Sequence, residues 1–434
     1  MEELKRRIES RTARIGVVGL GYVGLPLAVE FAKAGFHVVG LDTDNARVAC
    51  VGRGENYIGD VQDEELRSLA VSGRLRATDD WNAVAELDVL ILCVPTPFNR
   101  NKEPDLSFVR GAVEEIASRL RQGHLVVLES TTYPGTTEEV LLPLLEARGL
   151  RVGKDFALAY SPERVDPGNR TYQIANTPKV VGGVTPRCTA AAVALYASIV
   201  VKVVQVSSPR VAEMAKLLEN IFRNVNIALV NELTMLADRM GIDIWEVIEA
   251  AATKPFGFMS FHPGPGVGGH CLPVDPVYLA WKAKEHDFYT NFITLAAEVN
   301  ANMPYFVAQK VVRALARHGI PIRDARVLIL GVAFKRDVAD VRNSSALKLV
   351  ELLTGEGPAL SYSDPFVPEI EVSGVRYRSV PLTPETLGAH HCVVIHTDHS
   401  VFDYELILRH APLIVDTRNA LRNFSASRDR IIRL

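Results

Sequence analysis

The chain has 434 residues, of which 48 % are hydrophobic and 23 % charged, and a formal net charge of −3. Such a length exceeds what one core supports and predicts two or three domains, while the composition excludes disorder and a membrane-embedded chain. With so little net charge and no long basic run, the electrostatic footprint of a nucleic-acid binder is missing.

The N-terminal stretch MEELKRRIESRTAR is charged and lacks the apolar centre of a signal peptide. No run reaches the roughly 18 apolar residues that a membrane helix needs. A cytoplasmic protein is the expectation. Cys50, Cys93, Cys188, Cys271 and Cys392 are scattered and never in a CxxC spacing, which predicts reduced thiols with neither a zinc site nor a disulfide framework.

The first informative stretch is RIGVVG at 14–19, a short apolar strand pattern running into Gly19, Leu20, Gly21, Tyr22, Val23 and Gly24. A helical pattern follows from Leu25 to Ala34, then a second apolar run at 36–41 that ends at Asp42. Strand, glycine turn, helix, strand and acid is the order of a dinucleotide-binding unit. Gly19 permits the tight turn, Gly21 lets backbone approach a pyrophosphate, and Gly24 allows helix and strand to pack closely. Asp42 is placed to accept from an adenosine ribose, which favours NAD over NADP.

Further apolar runs at 89–94, 125–128 and 156–159 alternate with helical or polar stretches and predict a mostly parallel sheet covered by helices. Ligands of such sheets sit beyond the carboxyl ends of the strands. That makes the segments around Thr96, Thr131, Glu163 and Arg164 candidates for a site.

From Pro209 to Met240 the pattern becomes one long helix without internal proline or glycine. Lys216, Asn220 and Asn224 recur every four residues and stack on one face, with Glu213 one turn before Lys216. Asn is a poor helix former, yet Asn220, Asn224, Asn226 and Asn231 crowd this helix, which suggests a purpose other than propensity. Helical patterns at 244–253, 276–284 and 291–302 complete an all-α central block rich enough in apolar residues for a subunit interface. Between them lies PGPGVGGHCLPVDP. Its glycines and prolines suit neither a helix interior nor a central strand, and predict a shaped loop around Cys271.

After Met303-Pro304 a helical run to His318 leads to the strand pattern 326–331, and 393–396 and 413–416 read as further strands. This last third is a second strand-helix domain without a GxGxxG. Lys335, Arg336, Arg342 and Arg418 follow its strands, and cations gathered at one sheet edge suit a diphosphate.

In this order the motifs GLGYVGLP, CVPTPF, ESTTYPGTTEE, SPERVDPGN, EMAKLLEN, PGPGVGGHCLPVDP, GVAFKRDVADVRNSS and VDTR strongly resemble the nucleotide-sugar 6-dehydrogenases, from about residue 14 to residue 424. The likeness is strongest to the UDP-N-acetylglucosamine 6-dehydrogenase branch. It implies an α/β fold of two Rossmann-like doubly wound domains joined by a long central helix and an all-α dimerisation core. The boundaries expected are 1–207 for the NAD domain, 208–304 for the helical core and 305–434 for the UDP-sugar domain. The implied activity is oxidation of a C6 alcohol to a carboxylate with two NAD, in a homodimer or higher homo-oligomer, supplying polysaccharide or O-antigen precursors.

Position by position, the resemblance makes Cys271 the nucleophile and Asp275 its proton partner. Lys216 and Asn220 become the oxyanion donors, Glu163 the carboxylate that activates water, and Thr131 a polar group lining the site. Glu163, Arg164, Lys216, Asn220, Gly268, Phe334, Lys335 and Arg418 fall on substrate positions. Tyr22, Val23, Arg47, Thr96, Thr131 and Arg342 join Gly19, Gly21, Gly24 and Asp42 on cofactor positions. Two places depart from the glucose-type pattern: Val274 stands where those enzymes have lysine, and Pro167 where they have a second glutamate.

The implied chemistry has a physical logic. Oxidation by four electrons at one carbon passes through an aldehyde, which a thiolate at Cys271 would hold as a thiohemiacetal and then as a thioester. Lys216 and loop amides can supply the positive potential that a thiolate needs. UDP-GlcNAc is the expected substrate, with UDP-ManNAc, UDP-GalNAc and UDP-glucose as alternatives. A two-electron dehydrogenase of the 6-phosphogluconate or 3-hydroxyacid type would not need Cys271, and a non-catalytic nucleotide-sugar sensor would need none of the catalytic set.

Overall fold

The computed structural model describes residues 2–59, 61–99, 101–164, 169, 171–269, 271–424 and 430–434. The chain divides into two compact units, Met1–Glu219 with Val277–Phe288, and Asn220–Pro276 with Tyr289–Leu434.

The first unit is built on a sheet of β1 (Arg14–Val18), β2 (His37–Leu41), β3 (Leu75–Thr78), β4 (Val89–Leu92), β5 (Leu125–Leu128), β6 (Ala157–Tyr160), β7 (Lys179–Gly183) and β8 (Val203–Gln205). Their order is 3-2-1-4-5-6-7-8, the doubly wound dinucleotide-binding order followed by two further strands. The pair β6–β7 is antiparallel, and the other pairs are parallel. Every residue of β4, β5 and β6 is buried, which is why VLIL, LVVL and ALAY read as unbroken apolar runs instead of alternating ones. The five strand patterns expected here are all present within a residue or two. Strands β3, β7 and β8 were not foreseen: LRAT and VVQ are partly exposed, and KVVGG opens on a lysine and closes on glycines.

Segment Val277–Phe288 closes one side of this unit. The Tyr278 hydroxyl donates to the backbone oxygens of Thr96 and Pro97, both at 2.8 Å. Lys282 pairs with Glu139 at 2.7 Å, and Trp281 packs on Tyr133 with ring centroids 5.2 Å apart.

The second unit holds β9 (Arg326–Leu330), β10 (Ala359–Ser363), β13 (Cys392–Ile395), β14 (Ile414–Asp416) and β15 (Ile431–Arg433), with a separate antiparallel hairpin of β11 (Glu369–Val372) and β12 (Val375–Arg378). The five-stranded sheet is wholly parallel in the order 10-9-13-14-15. Renumbered within the unit this is 2-1-3-4-5, the other common doubly wound order, whose switch point lies between β9 and β13. Lys335 and Phe334 follow the first of those strands and His396 the second.

The spine helix Pro209–Met240 runs uninterrupted, as its sequence predicts, and the boundary between the units falls after Glu219. Two expectations need correction. The helical runs read separately at 291–302 and from Met303-Pro304 to His318 form a single helix, Asn291–Arg317, which contains Pro304, and its long buried face, including Val307, Val311 and Leu315, supports it against the second sheet. The cysteine segment is also not all loop. Helix Cys271–Ala283 begins at the cysteine itself and carries Pro276 inside it.

Candidate active site

At the glycine turn, Gly19 has φ +91° and its backbone N–H donates to Leu41 O at 2.8 Å. A Cβ on Gly24 would lie 1.8 Å from Gly19 O, so helix and turn meet at a distance only glycine allows. A Cβ on Gly21 would meet nothing within 4 Å, which leaves the space beside its backbone open to a ligand. Tyr22 is exposed beside it, and Val23 caps the helix Gly24–Lys33 that points its N–H groups at that space. The Asp42 carboxylate accepts from Leu20 N at 2.7 Å, Asp44 N at 2.9 Å and Arg47 Nη1 at 3.4 Å. A carboxylate has about four lone-pair sites, so a ribose hydroxyl can still be bound. These residues fit a dinucleotide.

Thr96 is buried beyond β4, and Thr131 is half-buried beyond β5. Glu163 follows β6. Its Oε1 accepts from Arg164 N at 2.6 Å and its Oε2 lies 3.1 Å from Lys179 Nζ. Lys216 is buried and donates to the Glu163 backbone oxygen at 2.6 Å. Arg164, expected on the substrate, forms a fork with Glu219 at 2.6 and 3.2 Å and donates to Pro178 O, so it holds this loop in shape. Glu213, one turn before Lys216, is bound by another segment. It is fully buried and accepts from Gly135 N, Thr137 N and the Thr137 hydroxyl, which fixes the TTYPGTTEE segment.

In the second unit Cys271 and Asp275 lie one helical turn apart, and Asn220 Nδ2 donates to Asp275 Oδ2 at 2.5 Å. The asparagines of the spine helix prove to be structural partners of this segment. Pro276 has no N–H for the Leu272 carbonyl four residues earlier, and Asn224 Nδ2 donates to that carbonyl instead, at 3.1 Å. Asn231 accepts from Gly264 N at 3.0 Å and donates to Asn300 Oδ1 at 2.9 Å, and Asn300 in turn donates to Asn224 O at 3.1 Å. Asn224, Asn231 and Asn300 are buried, so these asparagines serve packing contacts and not a solvated surface; Asn226 donates to Phe222 O of its own helix.

This gives a direct test. Asn224→Leu leaves a part-buried carbonyl unpaired and is expected to cost about 1–3 kcal/mol in chemical unfolding. It should also lower kcat more than it changes KM, because it loosens the helix start that carries Cys271. An unchanged unfolding midpoint together with an unchanged kcat would mean that the Leu272 carbonyl has another donor.

The same loop is wrapped against the edge of the second sheet. A Cβ on Gly268 would lie 2.8 Å from Phe334 Cβ, and one on Gly264 2.6 Å from Arg418 Nη1. Gly269 N donates to Arg342 O and Asn343 Nδ2 to Gly269 O, at 3.1 and 3.0 Å. Arg418 donates to His396 O at 3.0 Å, and burial together with nearby Arg336 pulls its guanidinium down to about 10. Arg342 is exposed and paired with Asp340 at 2.6 Å, and Lys335 is half-buried just after β9. Cys271, Asp275, Asn220, Gly268, Phe334 and Arg418 are therefore gathered in one unit, while Glu163, Arg164, Lys216, Thr96, Thr131 and the glycine turn belong to the other. Val274 is buried, and Pro167 lies outside the described residues.

Sequence reading missed Glu129, Lys179 and Tyr196, which form a buried charged cluster with Glu163. The available signal was a lysine opening an otherwise apolar strand. Among the described residues no cluster of three or more His, Cys, Asp or Glu could hold a metal, and no helix is long and apolar enough to cross a membrane.

A dinucleotide fold, a second doubly wound sheet with cations at its edge, and a cysteine at a helix start between glycine-rich loop and carboxylate together define a nucleotide-dependent dehydrogenase. Models of the UDP-glucose/GDP-mannose dehydrogenase family match the chain in three parts: the NAD binding domain at residues 13–200, the central domain at 210–302 and the UDP binding domain at 328–423. The chain belongs to this family and is an NAD-dependent UDP-sugar dehydrogenase. It is 38 % identical over 391 residues to UDP-N-acetyl-D-glucosamine 6-dehydrogenase of Pseudomonas aeruginosa, covering 90 % of this chain and 91 % of that one. It is also 38 % identical over 417 residues to UDP-N-acetyl-D-mannosamine dehydrogenase of Pyrococcus horikoshii, covering 94 % and 96 %. The solved structure of the UDP-D-ManNAc dehydrogenase from Pyrococcus horikoshii superposes with a TM-score of 0.88 at 35 % identity, covering 97 % of this chain and 98 % of that one.

Proposed function

We propose that this dehydrogenase oxidises the C6 alcohol of a UDP-N-acetylhexosamine, UDP-GlcNAc, to the uronic acid through a thiohemiacetal and a thioester on Cys271. The observation that carries the reading is Cys271 placed one turn from Asp275 at a helix start, in a loop fastened to Phe334, Asn343 and Arg418. In this reading residues 1–207 bind NAD, 208–304 form the helical core and 305–434 bind the UDP-sugar.

The chemistry the cofactor supplies when bound is hydride acceptance, twice for each sugar. The chain's own groups do the rest. Positive potential at the start of the helix favours a thiolate at Cys271. Lys216 keeps two further donors and Asn220 one after the bonds described above, and they are the groups to stabilise the alkoxide that develops at C6. Asp275, facing Asn220, takes and returns the proton of the alcohol. Glu163 removes a proton from the water that adds to the thioester carbonyl; the C–S bond then breaks and Cys271 leaves as thiolate.

Exposed apolar residues along the spine helix, Met214, Leu218, Phe222, Leu229, Leu233, Leu236 and Met240, recur at helical spacing and support a second copy of the chain as partner, giving a homodimer. UDP-N-acetyl-D-mannosamine is the second reading, favoured by the relatives from Pyrococcus horikoshii. Steady-state kinetics with UDP-GlcNAc, UDP-ManNAc, UDP-GalNAc and UDP-glucose separate these. The expected result is two NADH per sugar and a kcat/KM for UDP-GlcNAc at least about tenfold above the others, since differences of one hydroxyl typically decide 1–3 kcal/mol. A clear preference for UDP-glucose would overturn the substrate assignment.

A further inference from the structure

Lys179 opens β7 and is 4 % exposed. Its ammonium lies 2.9 Å from Glu129 Oε2 and 3.1 Å from Glu163 Oε2. Glu129, at the end of β5, has a fully buried side chain and accepts from the Tyr196 hydroxyl, and the Lys179 ammonium sits 5.3 Å from the centre of the Tyr196 ring. Two carboxylates therefore share one cation away from water. Stability does not favour such a set, because burying ions costs more than packing apolar side chains in their place. Meanwhile Glu163 has one oxygen on Arg164 N and the other on Lys179, so its orientation is fixed from two sides.

We propose that Lys179 is a positioning residue for thioester hydrolysis, holding the Glu163 carboxylate oriented and ionised through an ammonium that it shares with Glu129. This rests on the reading that Glu163 activates the hydrolytic water. Among the described residues, the groups that face Glu163 include Lys179 and, behind it, Glu129 and Tyr196, with Lys216 on the spine helix, Arg164 on its own loop and Cys93 beyond β4. Burial pushes Glu129 up, to about 7, against the pull of Lys179. Burial also pulls the Lys179 ammonium down, but the two carboxylates outweigh it and raise it. The cation therefore persists at neutral pH, and because burial makes Glu129 the more readily protonated carboxylate, the shared ammonium is held chiefly for Glu163.

The test uses the full chain with NAD and UDP-GlcNAc in single turnovers, following NADH and, after acid quench, the mass of the acylated protein. Glu163→Gln is the reference and accumulates the thioester. Lys179→Met is expected to form NADH in a burst at the native rate and to hydrolyse the thioester roughly 10- to 100-fold more slowly, the range in which a displaced catalytic group acts. The rising limb of its hydrolysis rate should move to higher pH, because a carboxylate without its neighbouring cation ionises later. Lys179→Arg should restore both rate and limb. The double variant Lys179→Met/Glu129→Gln removes one charge of each sign and keeps the net charge of the cluster, so it should show the same slow hydrolysis even where Lys179→Met alone does not fold.

Native hydrolysis and a native pH limb in Lys179→Met or in the double variant, beside a thioester that accumulates in Glu163→Gln, would overturn the proposal. So would equal loss of burst and hydrolysis in both Lys179→Met and Lys179→Arg. If Glu163→Gln itself leaves no thioester, the assignment of Glu163 fails instead.

Discussion

Cys271→Ser is expected to reduce the four-electron turnover by at least about a thousandfold, in line with the loss seen when a covalent nucleophile is removed. A serine at this helix start keeps the volume of the side chain but is scarcely ionised at neutral pH, so neither the thiohemiacetal nor the thioester forms at a useful rate. The first hydride transfer asks nothing covalent of residue 271. The variant should therefore retain nucleotide-sugar affinity and, where any reaction persists, release aldehyde with one NADH per sugar. NADH absorbance combined with aldehyde trapping measures both. Production of two NADH per sugar at near the native rate would remove Cys271 from the mechanism and return the two-electron class of dehydrogenase as the better reading.

Gly24→Ala is the second change with a large expected effect, and here the physics is steric. Its Cβ would stand 1.8 Å from the Gly19 carbonyl oxygen and 3.2 Å from Cys93 Cβ. The obstacle is backbone, which a rotamer change does not relieve, so the helix Gly24–Lys33 must move off β1. A shift of this kind costs about 3 kcal/mol, and if it is relieved by opening the turn, NAD binding weakens by about 100-fold. Calorimetric titration with NAD and thermal unfolding measure the two ways in which the strain can be expressed. Native affinity and a native melting temperature would mean that the turn is looser than its geometry requires.

These two positions were legible in the sequence for the same reason: each is specified by a local pattern. Gly19, Gly21, Gly24 and Asp42 keep a fixed spacing because strand, turn, helix and strand follow each other directly, and the apolar runs of β4 to β6 announce a sheet buried on both faces. Other features are written in relations between distant residues. Asn224 looked like a face residue because the carbonyl it serves is left without a donor by Pro276, more than fifty positions on, and only folding brings them together. Lys179 left only the faint mark of a lysine opening an apolar strand, because its two partners follow strands distant in sequence. The helix beginning at Cys271 was obscured by its own prolines, of which Pro273 lies in the first turn, where N–H groups have no intrahelical partner anyway. The missing bond at Pro276 is compensated from outside the helix.

The way Val277–Phe288 returns to the first unit has a consequence for biosynthesis. As the nascent chain leaves the ribosome, everything up to Glu219 is available early, yet the hydroxyl of Tyr278, the ammonium of Lys282 and the ring of Trp281, which satisfy Thr96, Glu139 and Tyr133, emerge only after the cysteine segment has been made. An N-terminal domain that usually folds first, as a contiguous piece, must here wait with one flank open. A stop between 219 and 277 would thus release a dinucleotide-binding unit that is complete in its strands but exposed along that flank, a substrate for proteases and chaperones rather than a smaller working protein.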